Sequence, residues 1–254
     1  MPITKHLPGL QRKTAKRLQR EQMKLVRPNA GIRKRTGNVF RQQLRIEEKS
    51  EKRNKKIFGY DKRRGTESRN FDEVDEEHGF RIIDLAIEAG KNNPGKYFDF
   101  LDEGTGLSAF PIGFKNKFEA ETGRKARMHM TDINPKINQG VKKGVTLLSP
   151  EFLVEKFGKN RFDFIVSTQG GVTFTKGSRL KAVANIVSAL KPGGIASILT
   201  RSNEFFTLGR AVRKSELKQL MRAFLGVEIE ERIIPKGRTP KIQLIIRKMK
   251  KAHP

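Results

Sequence analysis

From Tyr97 onward, short apolar runs alternate with helical segments, and Gly or Pro punctuates almost every junction. That alternation restricts the fold more than any other feature of the chain. Strands are predicted at Tyr97–Asp102, Ala126–Asp132, Gly144–Leu148, Phe162–Thr168 and Ile195–Thr200. Helices are predicted between them at Pro111–Thr122, 134–142, Pro150–Phe157 and Ser178–Leu190. A helix over Lys214–Leu225 precedes two adjacent strands, Val227–Ile234 and Ile242–Lys248, around a Pro235–Pro240 turn. Strands joined through helices lie parallel, whereas adjacent strands joined by a short turn lie antiparallel. The pattern therefore predicts an α/β domain with a mostly parallel sheet and an antiparallel hairpin at its C-terminal end. A further short helix, built on Phe80, Ile82, Ile83, Leu85, Ala86 and Ile87, is expected to end at Gly90.

Upstream of this region the composition changes. Residues 1–70 hold 22 Lys/Arg against 6 Asp/Glu, a net of 22 − 6 = +16 out of +27 for the whole 254-residue chain. Large apolar residues are sparse there, so the segment buries little area by itself. Helical stretches at about 10–26 and 38–57 are plausible on either side of Pro28 and Gly31. Two readings stand: a disordered basic tail, or an arm that orders on RNA. Both favour a polyanionic partner, with nucleic acid ahead of an anionic membrane surface. The division expected is 1–70 as a basic N-terminal RNA-binding extension and 71–254 as the catalytic-type domain. The acidic run Asp72, Glu73, Asp75, Glu76, Glu77 reads as a solvated boundary or as a partner for the arm.

Several classes are excluded. The chain has no Cys, which removes disulfides, thiolate-bound zinc, iron–sulfur clusters and thiol nucleophiles. Its four His show no metal-ligand spacing, so no metal is expected. No apolar stretch approaches the roughly 20 residues of a membrane span, and no secretory signal opens the sequence. A cytoplasmic location is expected, with the mitochondrial matrix as the alternative, because the first 20 residues are basic and free of acid.

The segment Leu101-Asp102-Glu103-Gly104-Thr105-Gly106-Leu107-Ser108 joins the first predicted strand to the first helix after it. Gly104 and Gly106 permit a tight turn and close approach of a ligand to backbone. Asp102, before the glycines, disfavours a pyrophosphate and suits a cationic ligand such as an ammonium or a sulfonium. Asp132 ends the second strand, where a carboxylate can accept both hydroxyls of a ribose.

With these residues the sequence resembles the class I S-adenosylmethionine-dependent methyltransferases over roughly 80–200, with 248 as the outer bound of the resemblance. The fourth-strand motif looks like Phe162-Asp163-Phe164-Ile165-Val166-Ser167, and the turn before the fifth strand looks like Ala189-Leu190-Lys191-Pro192-Gly193-Gly194. The resemblance implies a Rossmann-like seven-stranded sheet and S-adenosyl-L-methionine as cofactor. It implies cofactor contacts from Asp102, Glu103, Gly104, Thr105, Gly106, Asp132, Ile133 and Ser167. The adenine-contacting position after the third strand is not evident, Thr146 and Ser149 being the candidates. Asp163 reads as a surface residue at the start of its strand. The interval from Asp102 to Asp132 is longer than the family's usual one.

The acceptor is harder to read. Methylation at pyrimidine C5 requires a covalent Cys, and there is none. The Asp/Asn-Pro-Pro-aromatic motif of amino-group methyltransferases is absent too. After the fourth strand stand Gln169, a candidate catalytic residue able to orient a base edge, and Phe174, able to stack on a base. A plain glycine-rich turn and a core Phe are the alternatives. Two functions compete: a methyltransferase acting on RNA, ribosomal RNA first, or a catalytically inactive methyltransferase-like protein that binds a ribosomal particle. A small-molecule enzyme is the third option, poorly matched to the basic arm.

Overall fold

The computed structural model describes residues 31–32, 35–39, 41, 69–106, 108–134, 144–170, 172, 179–201, 222–224, 226–235 and 241–250. Its elements are α1 (Phe71–His78), α2 (Ile82–Asn92), β1 (Tyr97–Glu103), α3 (Phe110–Thr122), β2 (Lys125–Asp132), β3 (Val145–Leu147), a 3-10 turn (Pro150–Phe152), α4 (Leu153–Phe157), β4 (Phe162–Thr168), α5 (Arg179–Ala189), β5 (Leu190–Arg201), β6 (Val227–Ile234) and β7 (Lys241–Lys248). The helices expected at 10–26 and 134–142 lie outside the described residues, as do Phe174 and most of 38–57 and of Lys214–Leu225.

The seven strands form one sheet in the order β3-β2-β1-β4-β5-β7-β6. β1 to β5 are parallel, and β7 runs antiparallel to both β5 and β6. This is the sheet the alternation predicts, closed by the expected hairpin. The order steps outward from β1 on one side and from β4 on the other. The gap above their ends is thus a topological switch point, where open α/β sheets bind ligands.

One face of the sheet carries a phenylalanine core. Phe110, Phe114 and Phe118 recur every four residues along α3, which aligns them on one stripe. Phe118 stacks on Phe98 and Phe114 on Phe100, each with ring centroids 4.1 Å apart, and Phe114 also faces Phe164 at 5.8 Å. Helices α1 and α2 complete this layer through Val74, Ile82, Ile83 and Ala86. The other face packs Leu101, Ile165 and Ile198 against α5, α4 and the 3-10 turn.

Four expectations change at the level of detail. The acidic run folds as the helix α1: Asn70 caps it reciprocally with Glu73, Val74 and His78 are buried, and Asp72, Glu73 and Glu76 are exposed. Helix α2 continues through Gly90 to Asn92, where the Asn93 N–H donates to the Ala89 and Gly90 carbonyls. β5 begins at Leu190, before Ile195, since Leu190 pairs with Phe162 across a register shift. Asp163 is fully buried rather than at the surface, accepting the Asp99 N–H at 2.7 Å and Lys191 Nζ at 2.8 Å.

Part of the basic segment packs on the sheet domain. Thr36 and Val39 are buried. Thr36 Oγ1 accepts the Ser149 backbone N–H at 3.3 Å. Arg35 pairs with Glu155 at 2.5 Å and lies over the Phe152 ring at 4.2 Å.

Candidate cofactor and acceptor site

The glycine loop is held against the end of β2. Gly104 and Thr105 both donate their N–H to the Thr131 carbonyl, at 2.9 and 3.0 Å. Gly104 (φ 74°) and Gly106 (φ 53°) occupy the left-handed region that side chains with a Cβ avoid. Gly106 N–H donates to Asp132 Oδ2 at 2.8 Å, while Asn134 N–H donates to Oδ1 at 2.7 Å. Asp132 therefore ties the loop to its own strand end. Its carboxylate sits at the carboxyl end of β2, beside the glycine turn. Asp102, buried on β1 between Met130 and Val166, sits directly before the loop.

Two of the residues expected at the cofactor bond to each other. Ser167 Oγ donates to Glu103 Oε2 at 2.6 Å, and both are fully buried. Gly170 closes over them: a Cβ there would lie 2.4 Å from the Glu103 carbonyl oxygen and 2.9 Å from Ser167 Oγ. Thr105 and Ile133 are buried beside the loop. Of the adenine candidates, Thr146 pairs with Thr131 inside the sheet, whereas Ser149 follows β3 and gives its N–H to Thr36.

Gln169 adopts φ 54°, uncommon for a residue with a side chain, and its N–H donates to the Leu199 carbonyl at 2.8 Å. Its Nε2 donates to Glu77 Oε2 at 3.0 Å. Its amide is thus anchored to α1. Glu77 also pairs with Arg69 (3.0 Å) and Lys241 (3.3 Å). Burial alone would raise the Glu77 carboxyl, but the two cations outweigh it and hold it below the ordinary range.

Next to Glu77, His78 is enclosed. Its Nε2 lies 3.0 Å from Thr168 Oγ1, its Nδ1 2.9 Å from Gln243 Nε2 and 3.0 Å from Ser197 Oγ. Both ring nitrogens thus have hydrogen-bonding partners, with donor and acceptor set by the imidazole tautomer. Burial pushes the imidazole down to about 3, with Glu77 opposing the shift and Lys241 and Arg69 adding to it. Helix α1 thereby holds two consecutive residues at the end of β4, Thr168 through His78 and Gln169 through Glu77.

The sequence reading missed Arg69, Glu77, His78 and Lys241. Only α1 itself carried a legible sign, the Asn70-x-x-Glu73 capping pattern. The Arg69 carbonyl further accepts the N–H groups of Ala109 and Phe110 and the Ser108 hydroxyl, so the residue before α1 closes the start of α3.

The parallel order 3-2-1-4-5 followed by an antiparallel seventh strand between β5 and β6 decides the architecture. The chain has the class I methyltransferase fold. No protein-family model matches the sequence, and no curated protein does. Among solved structures it is similar to a protein from Listeria monocytogenes described as a class I S-adenosylmethionine-dependent methyltransferase (15% identity, TM-score 0.49, 70% of this chain and 61% of that one). It is similar as well to an S-adenosylmethionine-dependent methyltransferase from Corynebacterium glutamicum (20%, TM-score 0.44, 69% and 92%) and to one from Archaeoglobus fulgidus (14%, TM-score 0.41, 69% and 98%). Among the described residues, no helix is long and apolar enough to cross a membrane, and no cluster of His, Asp or Glu has the makings of a metal site.

Proposed function

We propose that this chain is an S-adenosyl-L-methionine-dependent methyltransferase acting on RNA, ribosomal RNA first. The observation that carries the cofactor half is the glycine loop turned around the Asp132 carboxylate, with Asp102 buried directly before it. The donor set fits: carboxylates for a ribose and for a cationic amino-acid end, and a backbone turn without Cβ atoms for close approach. Asp132, at the end of β2 beside the glycine turn, would take the ribose, and Asp102 would face the cationic end. When bound, the cofactor supplies an electrophilic methyl on a sulfonium. The chain's part is positioning, which by itself accounts for large rate factors in such displacements. Thr168 and Gln169 stand at the carboxyl end of β4, and α1 fixes both. Gln169 would serve by keeping this loop in place against the acceptor.

The RNA half rests on charge. A net +27, with +16 in residues 1–70, is suited to a polyanion and poorly suited to a small neutral acceptor. One observation favours the second reading, a methyltransferase-like protein that binds a ribosomal particle without catalysis: the Gln169 amide is already engaged by Glu77.

The deciding experiment incubates the full-length protein with methyl-labelled cofactor and RNA or immature ribosomal subunits from cells lacking it. Label in RNA, with cofactor binding seen by calorimetry, supports the enzyme. Tight particle binding with neither cofactor affinity nor label supports the second reading. Label on 5-methylcytosine would contradict the argument from the missing Cys.

A further inference from the structure

At the opposite end of the sheet, where β1, β2, β4 and β5 begin, a second charged cluster is built around a buried carboxylate. Asp99, in β1, is 1% exposed. Arg127 of β2 grips it with two bonds, Nε to Oδ1 at 2.8 Å and Nη2 to Oδ2 at 2.7 Å. Arg161, just before β4, reaches Oδ1 at 2.9 Å. Lys191 of β5 reaches Oδ2 at 3.1 Å and bridges to buried Asp163 at 2.8 Å. His129 adds its Nε2 at 3.7 Å. Burial would raise the Asp99 carboxyl, yet the hydrogen bonds from His129, Arg127 and Lys191 hold it well below the usual range, so it stays ionised.

Neutralising one carboxylate needs one cation. Here three permanent cations meet two acids, and both acids are inside. The consequence is geometric. A bidentate grip consumes Nε and Nη2 of Arg127 and leaves its Nη1 edge free to point outward, on a side chain that is 48% exposed. The guanidinium stands 4.9 Å over the face of Tyr97, itself 38% exposed, with Lys96 at 5.4 Å from the same ring. Exposed Lys125 and Lys159 continue the surface beside Arg127 and Arg161. Two other cations at this end are committed elsewhere: Arg124 to the carbonyls of Gly90 and Tyr97, and Lys248 to those of Val187 and Leu190. The cluster itself shows positive charge outward and negative charge inward, with the arginines locked in place before any ligand arrives.

We propose that this basal cluster is a second docking surface for the RNA substrate, binding its phosphodiester backbone through Arg127, Arg161, Lys125 and Lys159. The inference rests on the RNA reading above and adds a place to it. Along β1, Asp99 and Glu103 are four residues, or roughly 13 Å, apart at the usual strand rise. An RNA running up the side of the sheet therefore spans from this grip to the glycine-loop end. Fixed guanidiniums recognise phosphate better than free ones, because less side-chain freedom is lost per bond.

The test is fluorescence anisotropy of a labelled RNA hairpin with the full-length protein over a KCl series. Three proteins are compared with the wild type. Lys125→Ala/Lys159→Ala removes exposed charge and leaves the Asp99 network untouched. Arg127→Ala removes the gripped arginine. Arg81→Ala/Arg232→Ala removes two exposed charges from other faces. For two lost phosphate contacts, the slope of log affinity against log salt shrinks by roughly 1.4–1.8 in Lys125→Ala/Lys159→Ala, and by about half that in Arg127→Ala. The Arg81/Arg232 control keeps its slope, and cofactor affinity stays within a few-fold throughout. Basal variants indistinguishable from the control overturn this site while leaving RNA binding intact. A wild type without salt-dependent RNA binding overturns the RNA reading itself. Binding of anionic vesicles in preference to the hairpin would reassign the surface to a membrane and overturn the proposal.

Discussion

Acidification should expose the cost of burying His78. Its imidazole falls from an ordinary 6.5 to about 3 on burial, so between those values the unfolded chain binds a proton that the folded chain refuses. Stability then rises with pH across that window and is lost as pH falls through it, by 1.36 kcal/mol per unit. The full gap of about 3.5 units corresponds to ~5 kcal/mol, and the stretch from pH 6.5 to 4.5 to about 2 kcal/mol, a sizeable part of a typical domain's stability. Carboxylates held low, such as Glu77 and Asp99, lose their contribution in the same direction at lower pH. The comparison that isolates the histidine is therefore wild type against His78→Gln, which keeps a hydrogen-bonding group for Thr168 and removes the titration. Urea unfolding followed by far-ultraviolet circular dichroism suits a chain without Trp. The variant's advantage should grow from pH 6.5 to 4.5 by about 2–3 kcal/mol. Parallel stability curves for the two proteins would refute the reasoning, because they would mean that the imidazole is solvated or charged when folded.

Other perturbations have equally definite outcomes. Asp132→Ala removes the acceptor of the Gly106 and Asn134 N–H groups together with the expected ribose ligand; calorimetry should show cofactor binding at least about tenfold weaker, at 1.5–3 kcal/mol per charge-assisted bond. Gly170→Ala places a methyl 2.4 Å from the Glu103 carbonyl oxygen; urea unfolding should register a loss of about 1–3 kcal/mol, as for other overpacked sites, and no loss would mean that the β4 loop yields freely. Thr36→Val strips the buried Ser149 N–H of its acceptor; the cost should be about 1–3 kcal/mol, accompanied by faster hydrogen exchange at Ser149.

What the sequence reveals is what repeats or what a single residue type dictates. The strands were legible because their apolar runs are continuous, as in Phe164-Ile165-Val166. Helix α3 was legible because Pro111 suits a first helical turn and Gly123 suits its end. The loop was legible because glycine is the residue that most readily takes the left-handed φ found at Gly104 and Gly106, and Asp132 ends the adjoining strand. The acceptor side was not legible, because its contacts join distant parts of the chain: Lys241 meets Glu77 and Gln243 meets His78, each pair more than 160 residues apart. Charge also concealed structure. In α1 only Val74 and His78 are buried, so its acids suggested a solvated run, and Asp163 resembled a surface acid because nothing local announces Lys191. Thr36 and Val39 carry no signal within a segment dominated by Lys and Arg.

The strand order leaves two open edges, β3 and β6, and they are closed by different means. β6 alternates Glu228, Glu230, Glu231 and Arg232 along its length, with Ile233 exposed at 67%, and charges on an edge discourage a second sheet from pairing with it. β3 spans only three residues and has no such charges; beside it the basic segment lays Thr36 on the Ser149 N–H and Arg35 on the Phe152 ring. Shortening the chain to begin after residue 41 would leave the buried Ser149 N–H without its Thr36 acceptor and uncover one face of the Phe152 ring, just past the end of β3. The stretch that carries most of the chain's net charge is thus also part of the packing beside the β3 margin.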